Sequence, residues 1–153
     1  MIRKMEFADL EQVVAIENSV FKDPWPLKYF KDELEKNEYA CLLVIEERGQ
    51  IVAYGDIWFM FEHADICNIA VAGAHQNRGY GQRMLNALFR EALKNAVEFV
   101  HLEVRPSNEY ALKLYEKNEF IQTRIRKAYY EDGEDAIEMV KAIGGLNEED
   151  FGY

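Results

Sequence analysis

Residues at three places in this 153-residue chain have the types and spacing to do chemistry. The first is Gln76-Asn77-Arg78-Gly79-Tyr80-Gly81, which follows an apolar run over 66–71. After it, Met84, Leu85, Leu88, Ala92 and Leu93 recur at helical spacing, so the stretch reads strand, glycine turn, helix. A helix start exposes unpaired N–H donors at the positive end of the dipole, and glycines let a ligand approach the main chain. Such a start suits a phosphate group, and Arg78 and Arg83 add positive charge. The same pattern also fits a helix that begins with a glycine turn and binds nothing. The second place is Glu103, a carboxylate near the end of the apolar run 97–104. Partial burial there would raise its pKa toward that of a useful general base, whereas pairing with Arg105 would make it structural. The third is Tyr115, which shares a helix face with Asn108 and Leu112 and is either a proton donor or a core aromatic.

Several chemistries find no support. No Gly-x-x-x-x-Gly-Lys-Ser/Thr run exists, and Met84 stands where a dinucleotide fingerprint has its third glycine. No Gly-x-Ser-x-Gly elbow is present. His63, His75 and His101 are isolated from one another in sequence, and no metal-ligand spacing occurs, so no metal is expected. The net charge of −10 argues against nucleic acid and against an anionic membrane surface, and mildly favours a basic protein or peptide partner. No apolar run approaches the roughly 20 residues of a membrane span. The start, Met1-Ile2-Arg3-Lys4-Met5-Glu6, lacks the apolar core of a signal peptide. Two cysteines, Cys41 and Cys67, both in strand-like runs, suggest buried free thiols in a reducing cytoplasm.

The elements that must position these residues follow in order. A first strand lies near 2–6, and Asp9 with Gln12 has the spacing of a capping box before a helix with Val13, Val14, Ile16, Val20 and Phe21. Asp23-Pro24-Trp25-Pro26 breaks the chain, and a second helix runs to about Lys36. Its flanking aromatics, Phe21, Trp25, Tyr29 and Phe30, either pack this corner or line a substrate groove. Strands over 39–46 and 51–61 make a hairpin, and 64–71 leads into the glycine turn. The run 97–104 reads as a strand buried on both faces, with Phe99, His101 and Glu103 on one side. Arg105-Pro106-Ser107-Asn108 caps the next helix, and strands near 120–126 and 137–140 follow. The order implies one α/β domain over 1–142, a mixed sheet covered by helices, with residues 143–153 as an acidic, solvated tail.

The strand, the Gln-x-x-Gly-x-Gly turn and the helix resemble the acetyl-CoA loop of the GCN5-related N-acetyltransferases. Leu102-Glu-Val-Arg105 with Ser107-Asn108 and Leu114-Tyr115, then Tyr129-Tyr130 with Asp132-Gly-Glu-Asp-Ala136, is similar to the branch of that superfamily that acetylates protein N-termini. Ile16-Glu17 and Asp23-Pro-Trp-Pro26 fit as well, so the resemblance covers roughly residues 2–141. It implies a mixed, mostly antiparallel sheet flanked by helices, acetyl-CoA as cosubstrate, and a protein or peptide substrate with a free N-terminus, the alanine of a small-subunit ribosomal protein. It also implies that Ile69, Ala70 and Val71 offer main-chain groups to the cofactor. Asn77, Arg78, Gly79, Tyr80, Gly81 and Gln82 cradle its pyrophosphate, and Asn108 holds its reactive end. Glu103 is then the proton acceptor, Tyr115 the proton donor, and Tyr129 and Tyr130 lie on the peptide side. A lysine or small-molecule acetyltransferase, and a domain that binds acetyl-CoA without turnover, remain as alternatives. Asn118-Glu119 stands where this branch usually has glycine before the strand, and Asn118 is expected to take the left-handed position.

Overall fold

The computed structural model describes residues 1–152. Its frame is one seven-stranded sheet in the order β1-β2-β3-β4-β5-β7-β6. The strands are β1 (Ile2–Lys4), β2 (Ala40–Glu47), β3 (Gln50–Met60), β4 (His63–Val71), β5 (Phe99–Val104), β6 (Ile121–Arg126) and β7 (Ala136–Ala142). All neighbours are antiparallel except β4 and β5, which run parallel. The near-continuous apolar sequences of β2 and β3 follow from burial on both faces.

Helices α1 (Leu10–Val20) and α2 (Leu27–Lys36) cover one face, and α3 (Tyr80–Lys94) and α4 (Glu109–Lys117) the other. Under α1 and α2 the core joins Leu10, Val13, Ile16 and Phe30 to Leu42, Val44, Tyr54 and Ala70. On the opposite face Met84, Leu85, Leu88, Phe89 and Tyr115 pack on Ile57, Ile66, Val100, Leu102 and Met139. Each such fully buried side chain stabilises the fold by about 1.5–3 kcal/mol. Gly55 lets α3 approach β3 closely, since a Cβ there would lie 2.9 Å from the Met84 sulfur.

The sheet splits at its centre. Between β3 and β4 the register shifts: Asp56 faces Asn68, Ile57 faces Ile66, and Cys67 bulges between. Parallel pairing of β4 with β5 covers only His63↔Phe99 to Ile66↔Leu102. Beyond that point β5 continues against β7, with Glu103↔Glu138 and Val104↔Ile137, while β4 continues against β3 to Ala53↔Val71. The edge of β4 over 67–71 that faces β5 is left outside that ladder.

Several sequence expectations are corrected here. The expected Asp9–Gln12 capping box is absent. Asp9 instead takes two hydrogen bonds of 2.8 Å from the Arg3 guanidinium and one from the Glu6 amide, and Gln12 accepts from the Ile51 amide. β5 is buried on one face only: Val100, Leu102 and Val104 are inside, Phe99 and Glu103 are exposed and His101 is half-buried. The cause is that α1 and α2 pack on β2, β3 and β4 and stop short of β5. The left-handed residue after α4 is Glu119 (φ 66°), with Asn118 at φ −96°. Within 143–152, residues 144–150 are exposed as expected of an acidic solvated segment, but two apolar side chains in it are anchored. Ile143 is fully buried, and Phe151 packs 4.8 Å from the Phe89 ring while its carbonyl accepts from Arg90.

Asp56 is fully buried on β3, and neither carboxyl oxygen has a hydrogen-bond donor among the described residues. Burial, and then the neighbouring Glu33 carboxylate, push its pKa up to about 9, so it is protonated at neutral pH. A folded-state pKa above the unfolded value makes its contribution greatest at low pH, and that contribution fades as pH rises toward 9. Asp56→Asn removes this linkage. It is expected to stabilise the protein by about 1 kcal/mol or more in denaturant titrations at pH 8, and by less at pH 5.

Candidate active site

The glycine turn forms as its sequence implies. A short 3₁₀ turn, Gly73–His75, leads to Asn77 and Gly79, both with positive φ (61° and 85°), and α3 begins at Tyr80. The Arg83 amide is bonded to the Gly79 carbonyl at 3.0 Å, so the preceding amides of α3 lack a helical acceptor and face outward. Gln76 ties the turn to the end of β4 by donating to the Val71 carbonyl at 3.2 Å. Asn77, Arg78 and Gly79 are exposed. A Cβ at Gly79 would meet nothing within 4 Å, so positive φ explains this glycine. Gly81 has a different reason: a Cβ there would lie 2.5 Å from the Tyr110 phenol oxygen of α4. The Gln82 side chain turns away from the loop and forms a double amide pair with Asn118, both bonds 2.8 Å, plus a bond to Asn86. Arg83 is drawn toward Glu47 at 3.5 Å. What the loop leaves unpaired and exposed is therefore its main-chain N–H groups and the Arg78 position.

Beside the sheet split lies a cavity of about 330 Å³. Ile69, Glu103, Asn108, Tyr115 and Tyr130 share its wall, with Phe21 and Trp25 opposite. Residues far apart in sequence meet here because β4 and β5 diverge and α4 starts directly after β5. Asn108 caps α4, accepting from the Ala111 amide at 3.2 Å. Ala70 and Val71 are buried within the β3–β4 ladder. Glu103 is exposed at the cavity rather than partly buried, because the outer face of β5 is uncovered. Tyr115 is buried, and burial, then the phenols of Tyr110 and Tyr130, hold its pKa far above the ordinary phenol value, so it keeps its proton. The corner aromatics pack together, Trp25 lying 4.0 Å from Tyr29 and 5.9 Å from Phe30, and Phe21 and Trp25 also face the cavity. Cys67 also faces it, but burial raises its thiol pKa well above the ordinary value, which suits an inert thiol.

The Asp132-Gly-Glu-Asp135 stretch shapes the loop between β6 and β7. Gly133 takes φ 88°, Asp132 accepts from the Glu134 amide, and Asp135 accepts from the Ala128 amide. Arg105 then binds Asp132 and Glu134 at 2.8–3.0 Å and lies 3.9 Å over the Tyr130 ring. Glu134 also accepts from the Ser107 amide and hydroxyl, and Lys22 reaches it at 3.8 Å from across the cavity. Arg105 thus serves this loop and Tyr130, not Glu103. Tyr129 stands 49% exposed beside Arg126, outside the cavity wall, and the Glu103 carboxylate raises its pKa.

Sequence reading missed three features. His63 and His101 are not isolated: parallel pairing puts their ring nitrogens 2.9 Å apart. Glu17 is only 1% exposed yet lines the cavity. Its place on the apolar stripe with Val13, Ile16 and Val20 is the signal that could have found it. Asn68 beside it contacts Glu17 at 2.6 Å.

The strand that leaves its partner, the helix start with unpaired amides at its end, and the cavity shared by Glu103 and Tyr115 lie together. The acetyltransferase (GNAT) family profile matches residues 10–120. The chain belongs to the GNAT acetyltransferase family. An Escherichia coli (strain K12) ribosomal protein bS18-alanine N-acetyltransferase is 34% identical over 145 residues, covering 93% of this chain and 97% of the relative. An N-alpha-acetyltransferase of Sulfurisphaera tokodaii is 30% identical over 156 residues, covering 93% and 92%. The crystal structure of the E. coli ribosomal-protein-S18-alanine N-acetyltransferase superposes with a TM-score of 0.86 at 33% identity, covering 97% of this chain and 96% of that one. In this GNAT domain Gly81 is fixed by helix packing as well as by its loop. Gly81→Ala is expected to cost about 1–3 kcal/mol in chemical denaturation, and Tyr110→Phe in the same chain to recover a large part of it.

Proposed function

We propose that this GNAT protein transfers the acetyl group of acetyl-CoA to the N-terminal α-amine of a protein, the alanine of a ribosomal protein bS18. The observation that carries this reading is the single cavity that joins Glu103 and Tyr115 to Ile69 of the split strand and to Tyr130 of the β6–β7 loop. The names of relatives at 30% and 34% identity support the α-amine and the ribosomal substrate. A ribosomal substrate would place the reaction in the cytoplasm. The residues present fit the cosubstrate. The open left-handed position at Gly79 and the free amides of early α3 suit a pyrophosphate, and the main chain of 69–71, at the split edge, suits an amide-bearing arm. Acetyl-CoA supplies an activated thioester carbonyl.

The chain's own groups do the rest. An α-amine has an ordinary pKa of about 8, so a large part of it is protonated near neutral pH and cannot attack. Glu103, exposed on the cavity wall, accepts that proton directly or through a water. A main-chain amide of the split edge, that of Val71, donates to the oxyanion that develops. Tyr115, held protonated by its burial, donates a proton to the departing thiolate. Tyr130, clamped by Arg105, forms part of the wall for the peptide.

Mass spectrometry should find one acetyl group on a basic peptide with a free N-terminal alanine, and none on the same peptide with a blocked terminus and internal lysines. Acetylation of the blocked peptide would move the assignment to lysine. Glu103→Gln is expected to lower kcat roughly 100-fold or more at pH 7. The deficit should shrink above pH 8, as more amine is neutral, with acetyl-CoA affinity unchanged. Wild-type turnover in Glu103→Gln at pH 7 would remove it from the mechanism.

A further inference from the structure

Glu17 is a carboxylate that the mechanism above does not use. It projects from α1 into the cavity wall, only 1% exposed, and it is held by three donors from three elements. The Trp25 amide of the α1–α2 corner donates to one oxygen at 2.9 Å. The Asn68 side-chain amide of β4 donates to the other at 2.6 Å, and the fully buried Tyr54 hydroxyl of β3 donates to that same oxygen. None of these partners is cationic. A buried carboxylate held only by neutral donors is costly to desolvate, and burial indeed raises the Glu17 pKa. A leucine or methionine on the same helical stripe would pack at no such cost. The position of the donors identifies what the carboxylate does in return. Trp25 belongs to the aromatic wall that faces Glu103 and Tyr130 across the cavity. Asn68 directly precedes Ile69, beside the bulge at Cys67 where β4 leaves β5.

We propose that Glu17 is a positioning residue that locks the peptide-side corner at Trp25 to the split strand at Asn68, so that amine and thioester are presented to each other in one fixed register. This rests on the acetyl transfer proposed above. The two substrates approach from different elements, and without the tether α1 and its corner could shift relative to β4. A displacement of about 1 Å between reacting groups can cost on the order of 100-fold in rate. Glutamine at position 17 keeps the size but has one acceptor oxygen for donors on two sides, the Trp25 amide on one and Asn68 with Tyr54 on the other, so one side of the tether loses its acceptor. Aspartate at 68 then restores a donor–acceptor pair with the direction reversed.

The test compares wild type, Glu17→Gln and the Glu17→Gln/Asn68→Asp double variant, using a synthetic peptide with a free N-terminal alanine. In Glu17→Gln, kcat/KM for the peptide should fall roughly 10-fold to 100-fold. Its Kd for CoA by calorimetry should stay within about 3-fold of wild type, and the double variant should recover most of the loss. Peptide turnover within about 2-fold of wild type in Glu17→Gln overturns the proposal. So does a loss of CoA affinity equal to the loss of turnover, which marks general damage. The tether is also read without turnover, from ¹⁵N-labelled protein: Glu17→Gln should move the amide resonances of Trp25 and Ile69 together. Movement of Trp25 alone overturns the coupling. If wild type leaves the peptide unacetylated while both resonances move together, the failure lies with the substrate reading and not with the tether.

Discussion

β4 and β5 stop pairing after Ile66 and Leu102, and the rest of the site depends on that. A parallel pair buried under helices would ordinarily continue its ladder, because unpaired main-chain groups in a dry interior are costly. Here the bulge at Cys67 turns β4 away while β5 stays with β7. The gap brings the start of α4 to the mouth of the split, and with it Asn108 and Tyr115. It leaves main-chain groups of β4 available to a ligand that can satisfy them. The helix α3 then starts at the end of the same strand, so the edge that can hold an arm and the amides that can hold a phosphate are set by one chain path.

The split is bordered by four acids in distinct environments. Glu33 accepts from Tyr29, Asn37 and Trp58, and Asp56 beneath it is kept protonated. Glu17 holds the α1–α2 corner to β4. Glu103 stands on the exposed side of β5, where water can reach it. Four carboxylates within one small region are thus separated by environment: Asp56 neutral, Glu33 and Glu17 fixed by hydrogen bonds, and Glu103 open to water. On the far wall, Arg105 is consumed by Asp132, Glu134 and the Tyr130 ring, which makes a clamp out of what sequence alone offers as a partner for Glu103.

The order of strands and helices, the glycine turn and the cap at Asn108 were all legible, because each rests on local spacing and local turn chemistry. The grouping of Glu103, Tyr115 and Tyr130 was legible only through family resemblance, since nothing within 20 residues of Glu103 points to Tyr130. What stayed hidden depends on three-dimensional cover. The exposure of Glu103 follows from how far α1 and α2 reach across the sheet. The His63–His101 contact follows from a parallel register that no local pattern encodes. The docking of Phe151 follows from one apolar side chain in an acidic run finding Phe89. Glu119 took the left-handed position expected of Asn118 because Asn118 is held by its amide pair with Gln82.

The central claim is that the split edge of β4 and the start of α3 together bind one extended thioester cosubstrate. Amide hydrogen exchange with and without acetyl-CoA tests it most directly. The account predicts that the amides of Ile69 and Val71 and those of residues 79–82 become protected together, at the same ligand concentration. Protection of the loop alone, with Ile69 and Val71 exchanging as in the free protein, would contradict it.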